Sequence, residues 1–143
     1  MPMALELLPL ATGRVGVRPI VWIPNTPLGT RLVGELSSFD IEGERLRAHM
    51  FGVAAADWPV VSPDAMVSTI DVRVTLETDD GALLYAQYGG RIDMTKTPVT
   101  VYSTPRFDTG DERYLWLSRI QVVGKGTFDD TLTSIEYEFY ELR

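Results

Sequence analysis

The sequence predicts an all-β protein, a mainly antiparallel sandwich or barrel of about eight to ten strands in one domain. Two observations carry this: short runs with period-two alternation recur along the chain, and clusters of turn-forming residues separate them. Only one short run, near 110–117, has helical character. At 143 residues the chain is long enough to bury a proper core.

Leu5 to Leu10 is the first strand candidate, ending near Gly13, and Arg18 to Ile23 is the second. Pro19 confines that second strand to a short or edge position. Pro24 to Gly29 packs prolines and turn formers together and reads as a loop. Arg31 to Phe39 is again extended, and Glu42-Gly43-Glu44 turns it. From Arg45 to Phe51, Leu46, Ala48 and Met50 alternate with Arg45, Arg47 and His49. Gly52 to Ala56 is a small-residue loop leading to Asp57-Trp58-Pro59-Val60-Val61, with a turn at Ser62-Pro63-Asp64.

Thr69 to Asp93 is the clearest hairpin, with Asp79-Asp80-Gly81 at its tip. A two-residue loop would mix apolar and polar residues on both faces. A three-residue loop with Gly81 left-handed pairs Leu76 with Leu84 and Val74 with Ala86, and the faces sort cleanly. That register gathers Thr69, Asp71, Arg73, Tyr85, Gln87 and Arg91 on one polar face. Pro98 to Arg106 follows as a strand. The run Thr109 to Leu117 reads as the one short helix, near 110–117, with Thr109 or Gly110 as its cap and Asp111 and Glu112 at its positive end. Ile120 to Lys125 and Thr133 to Glu141 close the chain. In the last strand Ile135, Tyr137 and Phe139 share a face.

Composition narrows the function. No cysteine is present, which excludes disulfides, thiolate catalysis and cysteine-based metal sites. With one histidine and no cysteine, no metal is expected, and no dinucleotide, phosphate-loop or nucleophile-elbow motif calls for an organic cofactor. The net charge is −7, with eleven arginines, two lysines and no basic cluster, so nucleic acid is not an expected partner. No apolar run reaches the roughly 20 residues that span a bilayer, and the start lacks a basic leader, so the expected location is the cytoplasm, away from membranes.

Several motifs resemble one family. Asp57-Trp58, Pro63-Asp64, Asp71-Val72-Arg73, Thr78 to Tyr85 and Phe107 to Leu117 occur in an order and spacing similar to those of the domain-of-unknown-function family number 3237. That resemblance covers nearly the whole chain. It implies a calycin-like, lipocalin-like β-barrel and brings no settled reaction. Relatives usually carry a glycine-rich turn before the Asp-Trp pair and a glycine after the Pro-Asp. Here those segments read Val53-Ala54-Ala55-Ala56 and Asp64-Ala65-Met66, which implies a bulkier, more apolar pocket rim.

A barrel of about eight strands can hold one small ligand. The polar hairpin face is then either a solvated outer wall or a polar lining. As a lining, Asp71 or Asp57 would be a general base, Arg73 or Arg91 an anion stabiliser and Tyr85 a proton donor. An Arg73 beside Asp71 would lower the carboxyl's pKa and work against that role. Trp58 and Asp64 read as turn or core residues, or as mouth residues with Trp58 stacking on a ring. Gln87, Arg91, Tyr102, Trp116 and His49 are further ligand-binding candidates, although His49 shares a face with two arginines and Trp116 suits plugging a barrel end. The expected ligand is a small hydrophobic or ring-containing molecule. Two functions fit: a cofactor-independent isomerase, lyase or cyclase, or a non-catalytic carrier or sensor. The edge strand after Pro19 also offers a route to homo-oligomers.

Overall fold

The computed structural model describes residues 2–143. Twelve strands form one sheet: β1 (Leu7–Val17), β2 (Val21–Thr26), β3 (Gly29–Glu42), β4 (Arg47–Met50), β5 (Ala56–Asp57), β6 (Val60–Val61), β7 (Val67–Thr78), β8 (Leu83–Asp93), β9 (Thr100–Ser103), β10 (Arg106–Asp108), β11 (Gln121–Phe128) and β12 (Ser134–Leu142). Every pairing is antiparallel. The path β8-β9-β11-β12-β1-β3-β4-β7 returns to β8, so the sheet closes into an eight-strand barrel. Short β5 and β6 take the place of β4 further along β3 and β7, and β10 takes that of β9 along β8.

The β7–β8 register is the one that the three-residue turn dictates. Leu76 faces Leu84, Val74 faces Ala86, and Asp71 faces Gly89. Gly81 adopts φ +92°, a conformation that a side chain would strain. Thr78 completes the turn by receiving the Ala82 N–H on its hydroxyl at 2.8 Å.

Three boundaries differ from the sequence reading. β1 passes through Gly13 instead of ending there. A Cβ at Gly13 would lie 2.6 Å from the Phe139 ring, so the glycine makes room for a core aromatic and terminates nothing. β2 extends through Pro24 and Asn25 to Thr26, because only the tip at Pro27-Leu28 is needed to turn into β3. The run from Pro98 to Arg106 divides into β9 and the start of β10.

The helix is a 3-10 helix, Glu112–Arg119, and its cap is Asp111, whose carboxylate receives the Arg113 N–H at 3.0 Å. Thr109 instead donates its hydroxyl to the Leu83 carbonyl at 2.8 Å. Leu117 is fully buried and plugs the barrel end near the β7–β8 turn. Arg113 and Tyr114 fasten the helix to that turn through Asp80.

The barrel therefore has a packed half and a hollow half. Leu46, Leu76, Leu84, Leu117 and Val122 fill the helix end. A chain of aromatic contacts, Phe39–Tyr88–Tyr137–Phe139, crosses the middle with ring centroids 5.0–6.5 Å apart. Gly124 and Gly126, whose Cβ atoms would press on Phe139 and Tyr137, give those rings space.

Candidate functional site

Beyond the aromatic layer lies an apolar chamber of about 100 Å³. Val15, Val17, Leu36, Ile70, Val72, Ile92, Val101 and Ile135 form its walls. Ile20, Trp22, Pro59, Met94, Phe128 and Leu132 surround its mouth, and Tyr88 and Tyr137 form its floor. Asp57 is the one charged residue in this lining.

Asp57 owes its position to β5, a two-residue strand wedged between β3 and β7. It pairs with Val72 on one side and Gly34 on the other, and both face the lumen. Gly34 has no side chain to crowd the carboxyl. The Asp71 backbone N–H donates to Asp57 Oδ1 at 2.9 Å and fixes its orientation. Enclosure by protein pushes the Asp57 carboxyl up to about 6, against the opposing pull of that N–H, and the Asp71 charge adds to the rise. The group retains some accessible area because it opens on a cavity wide enough for water.

Tyr88 and Tyr137 are both buried. Burial drives the ionisation of each phenol well above its ordinary range, and the nearby Asp57 charge acts in the same direction. The two hydroxyls are thereby held neutral, and Tyr88 donates to Tyr137, which leaves the Tyr137 proton as the one free to reach a ligand. A carboxyl that titrates near neutrality beside a hydrogen-bonded pair of phenols, in an apolar chamber, can move a proton and stabilise an oxyanion.

The polar hairpin face lies outside. Asp71, Arg73, Tyr85 and Arg91 are exposed, and Gln87 is half-buried on the same wall. This corrects the expectation of a polar inner lining: the apolar partners Ile70, Val72, Val74 and Leu76 take the interior. Tyr85 donates to Gln87 at 3.1 Å, and Arg91 donates to the Gly90 carbonyl at 3.1 Å. Asp71 contributes to the site only through its backbone and its charge.

The Asp57-Trp58 pair is split by strand alternation. Asp57 faces in, whereas Trp58 is 45% exposed and lies outside the lining. Asp64 caps its own turn, receiving the Ser62 hydroxyl at 2.5 Å and the Met66 N–H at 3.1 Å, which hold its carboxyl below the usual range. His49 stands on the outer wall, 3.6 Å from Glu77. Tyr102, also outside, receives the Lys96 ammonium at 2.9 Å. Trp116 packs at the helix end with Arg45 4.9 Å above its ring, far along the barrel from the chamber. Of the sequence candidates, the structure brings only Asp57 into the lumen. Tyr88 and Tyr137 were missed. Both stand on apolar strand faces, where a tyrosine reads as a packing residue.

A wider concavity, about 760 Å³, is an open groove on the outer wall lined by Arg14, Lys125, Glu136 and Glu138 among others. Its charges are solvated, and Arg14 pairs with Glu136 at 2.6 Å, so it lacks the enclosure that chemistry needs. Among the described residues, no group of three or more histidine, aspartate or glutamate side chains could hold a metal ion, and no helix is long and apolar enough to cross a membrane.

The profile of the family described as "Protein of unknown function (DUF3237)" matches residues 5–142. The chain belongs to this family. The UPF0311 protein RPA1785 of Rhodopseudomonas palustris (strain ATCC BAA-98 / CGA009) is 24% identical over 110 residues, which span 67% of this chain and 71% of that protein. A β-barrel-like protein, ABAYE2633 of Acinetobacter baumannii AYE, superposes with a TM-score of 0.87 at 26% identity, over 100% of this chain and 99% of its own. A protein from Penicillium herquei described as an enzyme superposes with a TM-score of 0.74 at 20% identity, over 99% and 98% of the two chains. These solved structures agree with the barrel architecture that the motifs imply.

Proposed function

We propose that this DUF3237 barrel is a cofactor-independent acid/base enzyme acting on a small, uncharged, largely apolar molecule that carries a carbonyl or enol oxygen. The observation that carries this reading is Asp57, the one charged group of an apolar lumen, set beside two buried tyrosine hydroxyls. The absence of arginine and lysine from the lining favours an uncharged ligand over an anionic one.

The Asp57 carboxylate takes a proton from a C–H or O–H next to the ligand oxygen. The released electron pair moves onto that oxygen, and Tyr137 donates a hydrogen bond to the charge that develops, supported by the Tyr88 hydroxyl that donates to it. The Asp57 carboxylic acid then returns the proton at another atom. Return to a different carbon is isomerisation; loss of a leaving group is elimination; attack by an internal nucleophile is ring closure. The apolar walls exclude water from the charged intermediate. The enzyme from Penicillium herquei, with a similar barrel, supports catalysis as the reading for this fold.

A second reading is a carrier or sensor, favoured by how thoroughly apolar the walls are. One experiment separates the two without knowledge of the substrate. Small cyclic ketones and 1,3-dicarbonyls are incubated with the protein in deuterated water, and α-proton exchange is followed by NMR. The enzyme reading expects exchange above the buffer rate, lost in Asp57→Asn and kept in Asp71→Asn. Binding without exchange, or exchange that survives Asp57→Asn, overturns it.

A further inference from the structure

β2 is the strand that the barrel leaves open. Among the described strands only β2 and β10 pair on one side. The free side of β10 lies under the 3-10 helix, and β10 carries Arg106 and Asp108, so that edge is covered and charged. β2 has neither protection. Its residues, Val-Trp-Ile-Pro-Asn-Thr, include no charge.

The hydrogen-bond ledger of β2 is also open. Leu32 donates its backbone N–H to the Pro59 carbonyl at 3.0 Å, on the side of β3 away from β2. Trp22 lies opposite Leu32, so its own N–H and C=O point away from β3, to the uncovered edge. Val21 and Ile23 bond to Val33 and Arg31 and direct their side chains to the outer wall. Val21, Trp22 and Ile23 are 57%, 58% and 48% exposed, which places large apolar area on both faces of a strand with a vacant edge.

We propose that β2 pairs antiparallel with β2 of a second copy of this chain, about a two-fold axis through Trp22. The segment is self-complementary in that arrangement. Trp22 N–H donates to the Trp22 carbonyl of the second copy and receives the reciprocal bond, while Val21 of each copy packs on Ile23 of the other. Pro24, which has no N–H, and the kink at Asn25 (φ +61°) limit the pairing to this short stretch. The interface is accordingly at the small end of specific interfaces, and association in the micromolar range is expected. Because Trp22 also lines the chamber mouth, the two-fold axis sets the two mouths side by side.

Sedimentation velocity tests this between about 5 and 200 μM, the range that an interface of this size predicts. The wild-type chain should move toward twice its monomer mass as concentration rises. Ile23→Lys, on the outer wall and outside the lumen, should remain monomeric with an unchanged circular dichroism spectrum; Val21→Lys repeats the test if Ile23→Lys folds poorly. The chain has no native cysteine, so oxidation of Val21→Cys/Ile23→Cys should cross-link two copies, while either single variant should not. A wild-type chain that stays monomeric throughout, association that persists in both lysine variants, or failure of the double variant to cross-link overturns the proposal.

Discussion

Replacing Asp57 with asparagine should stabilise the protein at neutral pH while disabling it. Enclosure raises the folded-state pKa of Asp57 from 3.8 to about 6. Between those values the folded chain holds a proton that the unfolded chain has released. Stability therefore falls as pH rises through this window, and the full penalty is present above the folded pKa. Two pKa units at about 1.4 kcal/mol each put that penalty at about 3 kcal/mol at most. Asparagine keeps the oxygen that receives the Asp71 N–H and removes the charge. Urea unfolding of both proteins from pH 4 to 8 reads the difference. Asp57→Asn should match wild type near pH 4 and exceed it by up to about 3 kcal/mol at pH 7.5, equivalent to a rise in melting temperature of about 10 °C for a chain of this size. Parallel stability curves, or a variant weaker than wild type at pH 7.5, would refute an enclosed, charge-penalised carboxylate.

Other perturbations test the remaining parts. Tyr137→Phe should lower ketone exchange about 100-fold, as loss of one oxyanion donor does, and Tyr88→Phe, which removes only the supporting phenol, should lower it less, each with the fold intact by circular dichroism. The exchange rate itself should rise with pH through about 6 and then level, since Asp57 acts as the base only when ionised. Gly13→Ala sets a methyl 2.6 Å from the Phe139 ring and should cost about 1–3 kcal/mol in urea unfolding. Leu117→Ala, at the fully buried plug of the barrel end, should cost about 2–5 kcal/mol and leave the position-57 titration unchanged.

Much of the barrel was legible because a period-two pattern on a half-buried strand fixes which residues face inward. The Asp79-Asp80-Gly81 turn fixed the β7–β8 register residue by residue. The strand edges were less legible, since Gly13 and Pro24 carry the local chemistry of a stop while tertiary packing carries both strands past them. The site was legible only at Asp57. Polar residues in an alternating strand attract attention, but in a barrel with an apolar lumen they mark the wet wall, as Asp71, Arg73, Tyr85 and Arg91 do. The phenols of the floor stood on the apolar faces: Tyr88 aligned with Leu84 and Ala86, and Tyr137 aligned with Ile135 and Phe139. Nothing local distinguishes such a tyrosine from a packing residue. That Asp57 comes close enough for its charge to act on both phenols depends on non-local pairing: β5 on β7 sets Asp57 in line with Val72 and Tyr88, and closure of the barrel brings Tyr137 of β12 to the same chamber.

The claim at the centre of this account is that one carboxyl, Asp57, stands inside the apolar chamber and exchanges its proton near neutrality. Carboxyl-carbon NMR on aspartate-labelled protein, with the resonance assigned by Asp57→Asn, measures it directly. The account predicts one aspartate titrating at about 6 while Asp64, Asp80 and Asp111 titrate below their ordinary range. A midpoint for Asp57 near the ordinary 3.8 would contradict it.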